Sequence, residues 1–193
     1  MKRILALFLF GMTCFAPVLR AQSDHGEIGG FGEYLRLERT DPSRNLVGLG
    51  GRAAFNLRPS IQLEAEMSYD FKRSFTNTFS DGVSTELVNT QFRTLTGLFG
   101  PKFSTGSGPV RLFVTGKTGF INFSTTNQGA TAGFKGALGA VTDGDTKFAL
   151  YPGVGVEAFA KWFGVRAEFG DEIYFDGGAR NNPRLTFGPA IRF

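Results

Sequence analysis

Ile61-Gln62-Leu63-Glu64-Ala65-Glu66-Met67-Ser68-Tyr69-Asp70-Phe71-Lys72 decides the fold of this chain. Every odd position is apolar and every even position is polar or charged. In a chain that is 41% hydrophobic, twelve such residues in one register arise by chance about 2 times in 10,000. Successive side chains of a strand point to opposite faces, so the stretch predicts a β-strand with one apolar and one charged face. Twelve residues is long for a strand in an ordinary sheet.

The same alternation recurs on both sides of it. Asn45 to Arg58 places Val47, Leu49, Ala53, Phe55 and Leu57 opposite Arg52 and Asn56. Leu87 to Gly100 places Val88, Phe92 and Leu98 opposite Asn89, Gln91 and Arg93. Val110 to Phe123 separates Val110, Leu112, Val114 and Phe120 from Arg111 and Lys117. Lys147 to Ala160 separates Phe148, Leu150, Val154, Val156 and Ala158 from Tyr151 and Glu157. Phe163 to Tyr174 separates five apolar residues from Arg166, Glu168 and Glu172, and Arg184 to Phe193 separates four from Arg184, Thr186 and Arg192. With Gly26 to Arg39 these make eight strands. Turns around Pro59 and Trp162 and at 101–109 alternate with mostly longer connections at 40–44, 73–86, 124–146 and 175–183. An up-and-down meander is expected, with both termini on the short-turn side.

The first residues read differently. Met1-Lys2-Arg3 opens an apolar run from Ile4 to Val18, which ends in Leu19-Arg20-Ala21 before polar Gln22. This predicts a signal peptide over residues 1–21 and a barrel domain over 22–193. Three of the 21 basic residues leave with it, so 18 face 17 acidic ones and the basic balance gives little reason to expect a nucleic-acid partner. The only Cys, Cys14, lies in the same segment, and the chain has a single His. Disulfide and zinc scaffolds are excluded, and no metal or cofactor is expected. Gly30-Phe31-Gly32 and Gly153-Val154-Gly155 precede no helix and are not nucleotide fingerprints. Asp143-Gly144-Asp145 lacks the later ligands of a calcium loop.

Alternation alone does not say which face of a closed barrel is inside. The polar faces carry both signs of charge: Arg52, Glu64, Glu66, Arg93, Arg111, Lys117, Glu157, Arg166 and Glu168. An eight-stranded interior is just wide enough for side chains to fill, so these nine are the expected interior charge network. Aromatics gather near strand ends, at Tyr69, Phe71, Phe99, Phe103, Trp162, Phe163, Tyr174 and Phe175, as interfacial girdles require. Pro152 and Pro189 fall on the apolar face inside strands and call for a bulge or a strand end. Glu33 shares a face with Phe31, Leu35 and Leu37, which suggests a register shift at Gly29-Gly30. Asp171 also falls on the apolar face.

Gly188-Pro189-Ala190-Ile191-Arg192-Phe193 resembles the C-terminal assembly signal of bacterial outer-membrane proteins, carried by Gly188, Ile191 and Phe193. Phe163 to Gly170 resembles the penultimate strand of OmpA/OmpX-type barrel domains. The resemblance implies an all-β, eight-stranded antiparallel transmembrane β-barrel in the outer membrane of a Gram-negative cell envelope. It also implies a non-enzymatic role, structural or in surface interaction. The expected partners are the lipid bilayer and lipopolysaccharide, and the outer-membrane assembly machinery, with the protein as a monomer. Two other readings stay open. One is a soluble periplasmic lipocalin-like binder of an apolar ligand, with the faces reversed. The other is a lipid A-modifying barrel enzyme, in which His25 is the only available histidine. His25 is expected at the periplasmic end, away from the outer leaflet where such enzymes act.

Overall fold

The computed structural model describes residues 25–37, 44–80, 85–105, 108–128 and 145–193. The expected signal peptide, 1–21, and residues 129–144 of the connection expected at 124–146 lie outside them. The described strands are β1 (Gly26–Leu37), β2 (Arg44–Arg58), β3 (Ile61–Asp70), β4 (Arg73–Ser80), β5 (Thr85–Ser104), β6 (Val110–Gln128), β7 (Asp145–Ala160), β8 (Phe163–Asp171), β9 (Ile173–Phe175), β10 (Ala179–Arg180) and β11 (Pro183–Arg192).

Neighbours in sequence pair antiparallel from β1 through β2, β3, β5, β6, β7 and β8 to β11. The last strand then pairs with the first, Glu27 opposite Arg192 and Leu35 opposite Arg184. The result is a closed barrel of eight staves with no free edge. The ring shuts at the C-terminus: the Phe193 carbonyl accepts the backbone N–H groups of His25 at 2.8 Å and Gly26 at 2.9 Å.

Two staves run on past the expected strand ends. The segment read as a loop at 73–86 instead continues as β4, paired with β5 from Arg73↔Phe92 to Ser80↔Thr85. The segment at 175–183 contains the β9–β10 hairpin, turning at Gly177 and Gly178, both with positive φ. At the opposite end the turns are tight: Pro59-Ser60 and Lys161-Trp162, with Lys161 in the left-handed region.

The apolar faces point outward. Leu49, Phe55, Met67, Leu112, Val114, Val154, Phe169 and Phe187 are all exposed, while Glu64, Glu157 and Arg166 are buried inside. Tyr69, Phe71, Phe99, Phe103, Trp162, Phe163 and Phe175 are on the outer wall as expected. Tyr174 is the exception: it points inward, buried, with its ring edge-on to Phe123 at 5.0 Å.

Pro152 and Pro189 sit where the ladder is interrupted. In the β7 pairing, Leu150↔Ile173 is followed by Gly153↔Gly170, and Pro152 occupies the gap where β8 stops and β9 starts. In β1–β11, Gly29↔Ala190 is followed by Gly32↔Phe187, and Pro189 occupies that gap. A residue with no N–H therefore stands where no bond is made. The expected shift at Gly29-Gly30 does not occur: the β1–β2 register is continuous from Gly26 to Leu37. Glu33 simply points inside. Asp171 is half-buried on the outer side, and its carboxylate accepts the Asn182 backbone N–H at 2.6 Å.

Candidate functional site

Among the described residues, the lumen is the one place where many functional groups converge. Its lower part, toward the chain termini, begins with Glu27, Lys102, Glu157 and Arg192. Lys102 Nζ lies 2.7 Å from Glu157 and 3.6 Å from Glu27. Arg192 reaches Glu157 at 2.6 Å and Glu27 at 3.3 Å. One layer up, the Arg166 guanidinium hydrogen-bonds Glu64 and Glu168 and stands 3.6 Å from Glu27. Above that, Lys117 Nζ lies among three carboxylates: Glu64 at 2.6 Å, Glu66 at 2.6 Å and Glu168 at 3.0 Å. Arg52 closes the same layer on Glu168 at 3.1 Å and donates to the Thr186 hydroxyl at 3.1 Å. The highest rung is Arg184, which reaches Glu33 and Glu66 at 2.7 Å each and Glu172 at 3.7 Å.

Toward the other end the lining turns apolar. Leu35, Leu37, Leu46, Ile121, Phe123, Ala149 and Tyr174 form one buried cluster with Leu98 and Tyr151. The lumen is therefore lined in two zones, by ion pairs below and by hydrocarbon above.

Space for this comes from inward-facing glycines. The Phe31 ring lies across Gly50 and the Phe113 ring across Gly155, each so close that an added Cβ would collide with the ring. Phe159 covers Gly164 and Tyr151 covers Gly170 in the same way. Each ring carries a cation on its face: Arg52 stands 4.3 Å from Phe31, Arg166 4.2 Å from Phe113, Arg192 3.4 Å from Phe159 and Lys117 5.2 Å from Tyr151. A desolvated cation–ring contact contributes about 2 kcal/mol. The rings thus hold the cations in place from one side while the carboxylates hold them from the other.

Seven of the nine expected network residues come together in this ladder: Arg52, Glu64, Glu66, Lys117, Glu157, Arg166 and Glu168. Two do not. Arg93 shares the outward face of β5 with Leu95 and Phe99, because the inward residues of that strand are Thr94, Thr96, Leu98 and Lys102. Arg111 sits at the lower rim, where its Nε donates to the Gly108 carbonyl at 3.0 Å. Seven further charged residues belong to the ladder or its rim and were not among the nine: Glu27, Glu33, Asp70, Lys102, Glu172, Arg184 and Arg192.

Glu64, Glu66 and Glu168 bring one oxygen each to within 4.8 Å of one another, the spacing of a metal site. The Lys117 ammonium stands at that point of convergence and supplies the positive charge itself. The residues of the expected assembly signal lie at the seam: Ile191 and Phe193 face outward, and Gly188 packs where a Cβ would run into the Gly30 carbonyl.

No protein-family model and no curated protein matches the chain. Solved structures do. Neisserial surface protein A shares 9% identity at a TM-score of 0.62, over 90% of this chain and 100% of its own. The attachment invasion locus protein Ail of Yersinia pestis, solved with the heparin analogue sucrose octasulfate, shares 15% identity at a TM-score of 0.55 over 89% of this chain and 98% of its own. OprG of Pseudomonas aeruginosa, an outer membrane protein, shares 10% at 0.50 over 89% and 97%. The architecture is therefore that of the small outer-membrane β-barrels, the OmpA/OmpX-like type.

Proposed function

We propose that this chain is a non-enzymatic, integral outer-membrane barrel with a structural or surface-interaction role, and that its lumen is plugged by the charged side-chain ladder. The observation that carries this reading is the arrangement of the two faces. Leucine, valine and phenylalanine cover the outside, and paired arginine, lysine and glutamate fill the inside. A soluble lipocalin-like barrel has these reversed, and an apolar wall of this extent in water would far exceed the few hundred Å² that soluble monomers expose.

Burial supports the plug. Lys102, Glu27, Glu64 and Glu157 have no exposed surface, and the apolar cluster lies between them and the far mouth. An ion entering would have to displace ion pairs already formed in a low dielectric. His25 lies at the seam of the barrel, where its backbone N–H donates to the Phe193 carbonyl at 2.8 Å.

Reconstitution into planar lipid bilayers tests the reading. The full chain inserts and shows no conductance steps above the bare membrane. Stable single-channel steps would remove the plug, and a chain that stays in solution without detergent would remove the membrane reading.

A further inference from the structure

The charge ladder is balanced except at its top. Its lower layers set five cations, Arg52, Lys102, Lys117, Arg166 and Arg192, among five carboxylates. Above them Glu33, Asp70 and Glu172 are buried, and among the described residues Arg184 is the cation they share. Lys147, nearer the upper mouth, is held by Asp145 at 2.8 Å and Asp176 at 3.1 Å. Three carboxylates against one guanidinium leave two negative charges in excess, and buried charge without a counter-charge is strongly disfavoured.

Two oxygens of this group have no hydrogen-bond partner: Glu33 Oε1 and Asp70 Oδ1. The other oxygen of Glu33 accepts from Arg184, and that of Asp70 accepts from the Thr94 hydroxyl. Both free oxygens are aimed at one place. Gly48 of β2 pairs with Glu33 on one side and with Asp70 on the other. The point that a Cβ of residue 48 would occupy is 2.8 Å from Glu33 Oε1, 2.7 Å from Asp70 Oδ1 and 2.6 Å from the Tyr69 carbonyl oxygen. The two carboxylate oxygens are thus at most about 5.5 Å apart, a gap bridged by a cation with oxygen ligands at about 2.3–2.6 Å.

We propose that Glu33 and Asp70, over Gly48, hold a divalent cation of the calcium kind; the inference rests on the lumen lining and not on the plug. One such ion neutralises the excess charge. Calcium takes carboxylate and carbonyl oxygens in irregular geometry, whereas magnesium demands an octahedron and keeps its waters. Leu35 and Leu46, next along the two strands, cover the place with hydrocarbon, a setting for direct ligation rather than for a hydrated ion. The Glu64, Glu66 and Glu168 carboxylates converge as closely, but there the Lys117 ammonium supplies the charge.

The protein is unfolded in urea with EDTA, refolded into detergent micelles with and without calcium, and dialysed against radiolabelled calcium at about 1 mM. The native barrel is expected to retain about one ion per chain, and calcium raises its Tm. Glu33→Gln and Asp70→Asn each weaken binding at least about tenfold and abolish the rise in Tm, while circular dichroism shows the strands intact. Asp145→Asn at the rim leaves both unchanged. A folded native barrel that takes up no calcium overturns the site, and this arm needs no variant to fold. Binding that survives both substitutions overturns it as well. Magnesium in about tenfold excess that displaces the calcium overturns the choice of ion. Conductance steps in a planar bilayer would remove the plug and leave this site standing, which separates the two failures.

Discussion

The two sides of β7 obey different rules. Its outer side, with Leu150, Val154 and Val156, touches nothing that demands a particular residue. Its inner side carries Glu157, tied to Lys102 and Arg192, and Tyr151, whose ring bears Lys117 and Arg184. Between them on the inner side, Gly155 leaves room for Phe113, on which Arg166 rests. Lipid accepts any apolar shape, so the outer wall is specified by class alone. The inner lining is specified residue by residue, because each charge needs its own partner.

The largest effect expected from this contrast is that of Lys117→Met. It leaves three buried carboxylates facing one another and costs about 3–5 kcal/mol. Urea unfolding of the protein in lipid vesicles reads the loss, and an unchanged midpoint would mean that the ladder does not hold the barrel together. Next is Val154→Arg, a charge put on the outer wall near mid-height, at about 2–4 kcal/mol. If it cost nothing, that wall would not face lipid. Gly155→Ala follows at about 1–3 kcal/mol, because the new methyl displaces the Phe113 ring and with it the seat of Arg166. Its signature in the same assay is that Gly155→Ala and Arg166→Met are not additive. The smallest is Val154→Leu, which should shift the midpoint by less than about 0.5 kcal/mol. A large loss there would show that the outer wall, too, is specified by shape.

The same contrast explains what was legible in the sequence. An apolar wall needs only a period of two, and Ile61 to Phe71 displays it without error, so the strands and the barrel could be read directly. The inner set was legible where charges alternated strictly with hydrophobes, as at Glu64, Glu66, Arg166 and Glu168. It failed in β5, where both faces mix apolar and polar residues. There Leu98 faces in, Leu95 and Phe99 face out, and Arg93 stands at the rim, where an outward charge is tolerated. Arg111 has inward parity but lies too near the turn to join a layer. Arg184 and Arg192 were on the right face, yet their partners Glu33 and Glu27 come from β1, at the far end of the chain, and only closure of the ring brings them together. The inward aromatics gave no warning, since Phe31 and Phe113 look like wall residues until the glycines beside them are seen across the strands.

The Lys161-Trp162 turn has a consequence for spectroscopy. The chain holds a single Trp against 22 Phe and 4 Tyr. That indole is 62% exposed at the lower boundary, with the Phe163 ring edge-on at 6.0 Å. Excitation at the red edge of the absorption band therefore addresses one depth and one end of the barrel. Emission wavelength, and quenching by bromine placed at successive acyl carbons, would report where that single boundary sits in the bilayer, with no label added and no second indole to blur the answer.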